Sequence, residues 1–304
     1  MHLPYQYGST RNFLGCNTYT DQPFVVLGAP VDCATTFRSG TRMGPNAIRD
    51  ASMMLTDGVH ALYPGDILSF TGDAGDMGIP SGNHSAAIKT IRDDYSNFRG
   101  KNVITLGGHH GITYPILQSL SCVHGKNEIA VIHFDAHCDT WQDHFGERHG
   151  HGTWLYDAIQ EKLVNPSKVV SIGIRSPSDR ESRRYLTNRG GRTVTSREAM
   201  GHQTAVMADI LRSIIGNSPC YMSLDIDCLD PAYAPGTGTP EIAGLTSMWL
   251  SALLDDLAGL NFIGMDCVEV APPYDCSQIT ALAGATFAWQ YLSFMVYRHQ
   301  KILA

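Results

Sequence analysis

Residues 129–139 read Ile129-Ala130-Val131-Ile132-His133-Phe134-Asp135-Ala136-His137-Cys138-Asp139. The first half is a short apolar run rich in β-branched residues, the pattern of a strand buried on both faces. The second half turns abruptly polar. Similar runs recur at 24–28, 103–107, 169–175, 221–227 and 262–269, each closing on Gly, Asp or another polar residue. Segments with helical periodicity lie between several of them, at 46–55, 85–98, 204–215 and 247–259. Strands alternating with helices make a mostly parallel central sheet covered on both faces. The expected fold class is therefore α/β, a three-layer αβα arrangement. Neither a repeat nor a linker divides the chain, so residues 1–304 are expected to form one domain.

The bulk composition narrows the partners. Of 304 residues, 43% are apolar and 17% charged, which suits a folded soluble enzyme. The net charge of -7 argues against nucleic acid or an anionic membrane, both of which select basic surfaces. The apolar stretch at 287–297 is short and interrupted by Gln290 and Ser293, so it is expected to be a buried helix near the C-terminus and not a membrane span. Eight cysteines are scattered with no CxxC pair, and Cys220, Cys228 and Cys267 fall in or beside strand-like runs. They are expected to be reduced core residues. With no secretory signal pattern at the start, the expected location is cytoplasmic.

In open parallel sheets, sites form outside the carboxyl ends of the strands. Asp135, His137 and Asp139 alternate, so in an extended segment all three leave one face. A polar turn is the plain alternative reading. Asp225-Ile226-Asp227 closes a second run, and an Asp-rich cap or loop is the alternative there. His110 follows a third strand, after Gly107-Gly108. Two histidines and four aspartates converging from three strand ends make a mixed oxygen and nitrogen donor set. That set suits Mn, Co, Ni or Zn and is wrong for a thiolate site. Six ligands are too many for one open catalytic ion but fit two ions sharing carboxylates.

The order of motifs resembles the ureohydrolase (arginase/agmatinase) family, its agmatinase branch most closely. The resemblance runs from Gly40-Thr41-Arg42-Met43-Gly44-Pro45-Asn46-Ala47-Ile48-Arg49, through the two Asp-rich motifs and Ala234-Pro235-Gly236-Thr237-Gly238-Thr239-Pro240, to Val268-Glu269-Val270-Ala271-Pro272 and Tyr274-Asp275. It implies that His110, Asp135, Asp139 and Asp225 hold one ion while Asp135, His137, Asp225 and Asp227 hold the other. The ions implied are two Mn²⁺, with Ni²⁺, Co²⁺ or Zn²⁺ as alternatives, and a hydroxide between them attacks the guanidinium carbon. Glu269 then holds the guanidinium, and His151 protonates the leaving amine. Asp139 counts with these two among the catalytic groups. Thr239 lies near the attacked carbon, and Trp141 borders the substrate tail. The implied partners are a small guanidino substrate and further copies of the chain, as a homotrimer or homohexamer.

Arginase has an Asn two residues beyond the last ligand of the first Asp-rich motif, where this chain has Trp141, and Ser176-Pro177-Ser178 replaces arginase's acidic pair. Agmatine, giving putrescine and urea, is therefore the expected substrate, ahead of guanidinobutyrate or another guanidine. A departure from the family is His109, where Asp, Glu or Asn usually precedes the first histidine ligand. It is either a tolerated supporting residue or a change in metal preference, and it keeps open a catalytically impaired subunit. A metal-dependent deacetylase would share the fold, but the paired motifs favour the guanidine branch. His133 is read as structural, and His144 and His149 as solvated loop residues.

Overall fold

The structure is a computed structural model that describes residues 11–303, apart from 56, 144 and 147. His144 therefore lies outside the described residues, as do residues 1–10. Among the described residues nine strands form one wholly parallel sheet: β1 (Asn17–Thr18), β2 (Phe24–Ala29), β3 (Thr71–Asp76), β4 (Asn102–Gly107), β5 (Ile129–Phe134), β6 (Val164–Ile174), β7 (Arg192–Thr195), β8 (Cys220–Asp225) and β9 (Phe262–Val268). Their order across the sheet is β1-β3-β2-β4-β9-β8-β5-β6-β7. All six strands expected from apolar runs are present. Helices α1 (Gly44–Ser52), α2 (Ile67–Phe70), α3 (His84–Tyr95), α4 (Thr113–His124), α5 (Trp154–Gln160), α6 (Arg180–Tyr185), α7 (Ser196–Met200), α8 (Thr204–Ile215), α9 (Ser247–Asp256) and α10 (Ile279–Leu303) complete the chain.

Alternation along each strand builds two cores. Val26, Ile104, Ile132 and Met222 face one side with Ile48 of α1, Leu211 of α8, Leu253 of α9 and Phe287 of α10. Val25, Val103, Val131 and Tyr221 face the other with Ile91 of α3, Leu117 of α4 and Leu155 of α5. The three layers follow from that two-sided burial. By length and composition α10 could cross a membrane, but 72% of its apolar stretch is buried within the protein.

β3 departs from the apolar pattern. It carries Asp73 and Asp76, both buried, because Arg49 of α1 reaches them through the core. Arg49 Nε and Nη2 donate to the two Asp73 oxygens at 2.8 and 3.0 Å, and Nη1 donates to Asp76 at 2.5 Å. A buried guanidinium is tolerated only with its charge matched in this way. Gly28 makes room for the pair, since a Cβ there would overlap the Asp76 carboxylate.

Candidate metal centre

The four neighbouring strands β4, β9, β8 and β5 deliver the site from their carboxyl ends. His110 opens the 3-10 turn after β4, and Glu269 follows β9. Asp225 ends β8, with Asp227 in the next turn, and the segment 135–139 follows β5. That segment is not extended, as the alternation argument supposed. β5 stops at Phe134, and Asp139 adopts a left-handed backbone with φ 50°. Glu269 is left-handed too, with φ 64°. Non-glycine residues held in that region cost about 1–3 kcal/mol each and cluster at functional sites.

The loop brings the expected residues together all the same. His110 Nδ1 lies 3.0 Å from Asp135 Oδ2, 3.1 Å from Asp139 Oδ2 and 3.2 Å from Asp225 Oδ2. His137 Nδ1 lies 3.2 Å from Asp135 Oδ1 and 3.0 Å from Asp227 Oδ2. Asp135 thus faces both histidines, one oxygen to each. All four aspartates and His110 are buried, and His137 is half-buried. Thr239 Oγ1 lies 3.4 Å from Asp227 Oδ2. Thr239, Trp141, His151, Ser176 and Pro177 line the cavity above the cluster, together with Thr36.

Four carboxylates at such separations, out of water, demand positive charge. The titration of the group says the same. Burial, with Asp227 and Asp135 beside it, holds the Asp225 carboxyl well above its usual range. Burial and Asp135 raise Asp139 as well. Burial alone would lower His110, but the carboxylates around it outweigh that and hold its pKa well above 6.5. Yet His110 Nδ1, buried and surrounded by carboxylate oxygens, has no hydrogen-bond partner. A buried ring nitrogen with three carboxylate oxygens within 3.2 Å and no hydrogen bond to any of them sits where either a proton or a cation must balance the charge, and the oxygen and nitrogen composition suits a divalent transition ion.

Supporting contacts fix the donors. His110 Nε2 meets Ser223 Oγ at 2.7 Å, and Ser223 Oγ donates to buried Asp266 at 2.7 Å. Asp266 also accepts from Thr113 Oγ1 and the Tyr221 hydroxyl. Trp154 Nε1 donates to Asp139 Oδ2 at 2.8 Å. His133 Nε2 lies 2.8 Å from Asp135 Oδ2, so it braces that carboxylate directly and is more than a packing residue. Such partners set ligand orientation and basicity. Sequence reasoning missed Trp154, Ser223 and Thr36. The signal for His133 was available, since it lies two residues before Asp135 on the same strand face.

Glu269 Oε1 accepts the His110 backbone N–H at 2.8 Å and lies 3.5 Å from His151 Nδ1. Burial would raise Glu269, but His151 and His109 bring it below its usual value. Burial would lower His151, but Glu269 more than offsets this. Thr36 Oγ1 holds His151 Nε2 at 2.9 Å. His149 is not a solvated loop residue. It pairs with Asp157 at 2.8 Å and stacks on Tyr114. His109 points away from the cluster: its Nδ1 accepts the Gly111 N–H at 3.0 Å, capping the turn that carries His110.

This geometry agrees with the relatives of the chain. Residues 22–293 match the model of the Arginase family. The chain is 39% identical to a guanidinobutyrase of Pseudomonas aeruginosa, over 88% of this chain and 84% of that protein. It is 40% identical to an agmatinase of Chromobacterium violaceum, over 91% and 84%. Among solved structures, the proclavaminate amidino hydrolase of Streptomyces clavuligerus superposes with a TM-score of 0.89 at 35% identity, covering 96% of this chain and 99% of that one. With a strand-end constellation, a family match over residues 22–293 and relatives of this kind, the chain belongs to the arginase family and is a metal-dependent ureohydrolase.

Proposed function

We propose that the chain hydrolyses agmatine to putrescine and urea. The observation that carries the guanidino reading is Glu269, a buried carboxylate at the end of β9, beside the aspartate cluster and its cavity. A planar guanidinium matches a carboxylate through paired N–H bonds, and burial strengthens the match.

In this reading His110, Asp135, Asp139 and Asp225 hold one divalent ion and Asp135, His137, Asp225 and Asp227 the second, Mn²⁺ first and Ni²⁺, Co²⁺ or Zn²⁺ otherwise. When bound, such ions lower the pKa of water from about 15.7 to near neutrality. The protein groups do the rest. Glu269 fixes the guanidinium with its carbon toward the cluster. Thr239 sits against Asp227 and confines the same space. His151, held through Nε2 by Thr36, keeps its proton at Nδ1 beside Glu269. The Glu269 carboxylate raises the His151 pKa above the usual imidazole value despite burial, which favours the protonated form that gives a proton to the departing amine nitrogen. Trp141 walls the path of the tail.

The tail reading rests on Glu241. Its Oε1 accepts from Ser176 Oγ at 2.8 Å and lies 4.0 Å from His137 Nε2, and both of those residues line the cavity. An anionic group there favours the cationic aminobutyl tail of agmatine over a carboxylate tail. The likeness to a guanidinobutyrase favours guanidinobutyrate as the second reading. Completing the proposal, the enzyme is a cytoplasmic homotrimer or homohexamer with neither nucleic acid nor membrane as partner.

The test is urea release from agmatine, guanidinobutyrate, arginine and guanidine by protein loaded separately with Mn²⁺, Ni²⁺, Co²⁺ and Zn²⁺. Release from agmatine with Mn²⁺, weakened chiefly in KM by Glu241→Gln, is expected. Release from guanidinobutyrate alone moves the substrate. Silence across the panel with two ions bound sinks catalysis and promotes the impaired-subunit alternative.

A further inference from the structure

A second cluster of chemically able side chains lies outside the catalytic cavity. Cys33 on the loop after β2, His84 at the start of α3 and His109 after β4 each place a donor atom within 4.8 Å of the others. By residue type this is a cation site. The tautomers decide otherwise.

His84 Nε2 faces two carbonyl oxygens, of Arg148 at 3.2 Å and His149 at 3.1 Å. A carbonyl only accepts, so Nε2 carries the proton and Nδ1 has the lone pair. That lone pair faces Cys33 Sγ at 3.6 Å. His109 Nδ1 accepts the Gly111 N–H, so its lone pair is committed and its proton sits on Nε2. His109 is 2% exposed, and Nε2 has no partner. A neutral ring with one nitrogen engaged as acceptor and the other protonated has no lone pair left for a cation. What it offers is an unused N–H. A lone pair of one imidazole 3.6 Å from the sulfur, and in the same cluster a second ring with an unused N–H, are surroundings that favour a thiolate, with His84 as base and two carbonyls orienting that base.

We infer that Cys33 is an activated thiol, a modification site for soft electrophiles, with His84 as its proton acceptor and His109 as the hydrogen-bond donor to the sulfur. In the reaction with an alkyl iodide, sulfur forms a bond to the methylene carbon while the carbon–iodine bond breaks. Iodide leaves, and the thiol proton passes to His84 Nδ1. Among the described residues, the titratable groups at Cys33 include these two imidazoles and, on its own loop, Asp32 with Arg42 at 3.6 Å. The adduct would report on catalysis, because Thr36, which holds His151, lies three residues along the same loop.

The experiment alkylates the metal-loaded protein with iodoacetamide and follows each cysteine by peptide mass spectrometry across pH. Exposed Cys122 and Cys276 serve as internal references. An ordinary thiol of pKa ~8.5 is only roughly 3% thiolate at pH 7, and the gain from fuller ionisation is partly offset by weaker nucleophilicity. The expected result is a Cys33 rate about threefold or more above both references at pH 7, despite its partial burial, with a pH midpoint below theirs. His84→Gln should bring the midpoint up to that of the references while leaving their own rates unchanged. Cys33→Ser should release urea normally, whereas alkylation of the unsubstituted protein should slow it. A Cys33 midpoint equal to the references, or indifference to His84→Gln, overturns the inference. So does complete protection by one equivalent of Zn²⁺ beyond the two catalytic ions, which would make the cluster a third cation site. The labelling arms do not depend on which guanidine is hydrolysed.

Discussion

Replacing Trp154 by phenylalanine removes one N–H from a buried carboxylate and leaves an aromatic ring in place. Trp154 is fully buried, with its ring 5.0 Å from that of His110 and 5.1 Å from that of His133. Its Nε1 donates at 2.8 Å to Asp139 Oδ2, the same oxygen that lies 3.1 Å from His110 Nδ1. Two costs follow, and they separate. The lost ring volume leaves a cavity that destabilises the fold by roughly 1–3 kcal/mol whether or not ions are bound. The lost charge-assisted hydrogen bond, about 1.5–3 kcal/mol, falls on the ability of Asp139 to act as a donor. In the proposed assignment Asp139 serves the ion at His110 and not the one at His137, in line with Asp139 Oδ2 lying 3.1 Å from His110 Nδ1. Trp154→Phe should therefore weaken one of the two bound ions by about 10- to 100-fold and leave the other close to unchanged. Calorimetric titration of the metal-free protein with Mn²⁺, beside urea unfolding of both metal-free forms, measures the two costs independently. A variant that loses fold stability yet binds both ions with unaltered affinity would refute the reasoning, because the Trp154–Asp139 bond would then be packing alone.

Three further outcomes follow from the geometry. Glu269→Gln keeps the shape but removes the charge opposite the guanidinium, and loss of a buried charge pair costs about 2–5 kcal/mol, so kcat/KM should fall by on the order of 10²–10³ with metal content unchanged. Thr36→Val deletes the hydroxyl 2.9 Å from His151 Nε2 and should lower kcat by up to about tenfold at nearly constant KM, read by steady-state kinetics across pH. Arg49→Met strands Asp73 and Asp76 together in the core and should cost about 3–5 kcal/mol in urea unfolding, and pairing it with Asp73→Asn and Asp76→Asn should recover much of that loss.

The strands that carry chemistry were legible because each is an apolar run that stops at a polar residue, and burial on both faces forces that pattern. β3 was not legible. Its Asp73 and Asp76 break the apolar pattern, and only Arg49, from a different element, neutralises them. The edge strands β1 and β7 escaped for a related reason, since they are short, with β1 exposed and β7 only partly covered. Within the site, Asp135, His137 and Asp139 were identifiable by type and spacing, but the argument from an extended face was wrong in its geometry. The chain leaves β5 after Phe134, and the left-handed turn at Asp139 does the gathering. Trp154 and Thr36 carried no local mark, because each meets its partner across a loop distant in sequence.

This division between strands and loops also accounts for the relatives. His110, Asp135, Asp225 and Glu269 sit at the ends of four adjacent strands, where the register of the sheet fixes their separations. Moving any one of them would require slipping a strand buried on both faces, which turns every side chain to the wrong layer. The groups nearest the tail are placed differently. Trp141, Ser176 and Glu241 come from three loops outside the sheet, and Glu241 is only half-buried. A loop side chain can change with no strand following it. Loop placement of the tail groups is consistent with a guanidinobutyrase and an agmatinase being 39% and 40% identical to this chain. On the proposed reading, the charge at Glu241 is what tells agmatine from guanidinobutyrate, and Glu241→Gln should narrow the KM difference between the two substrates in the urea-release assay.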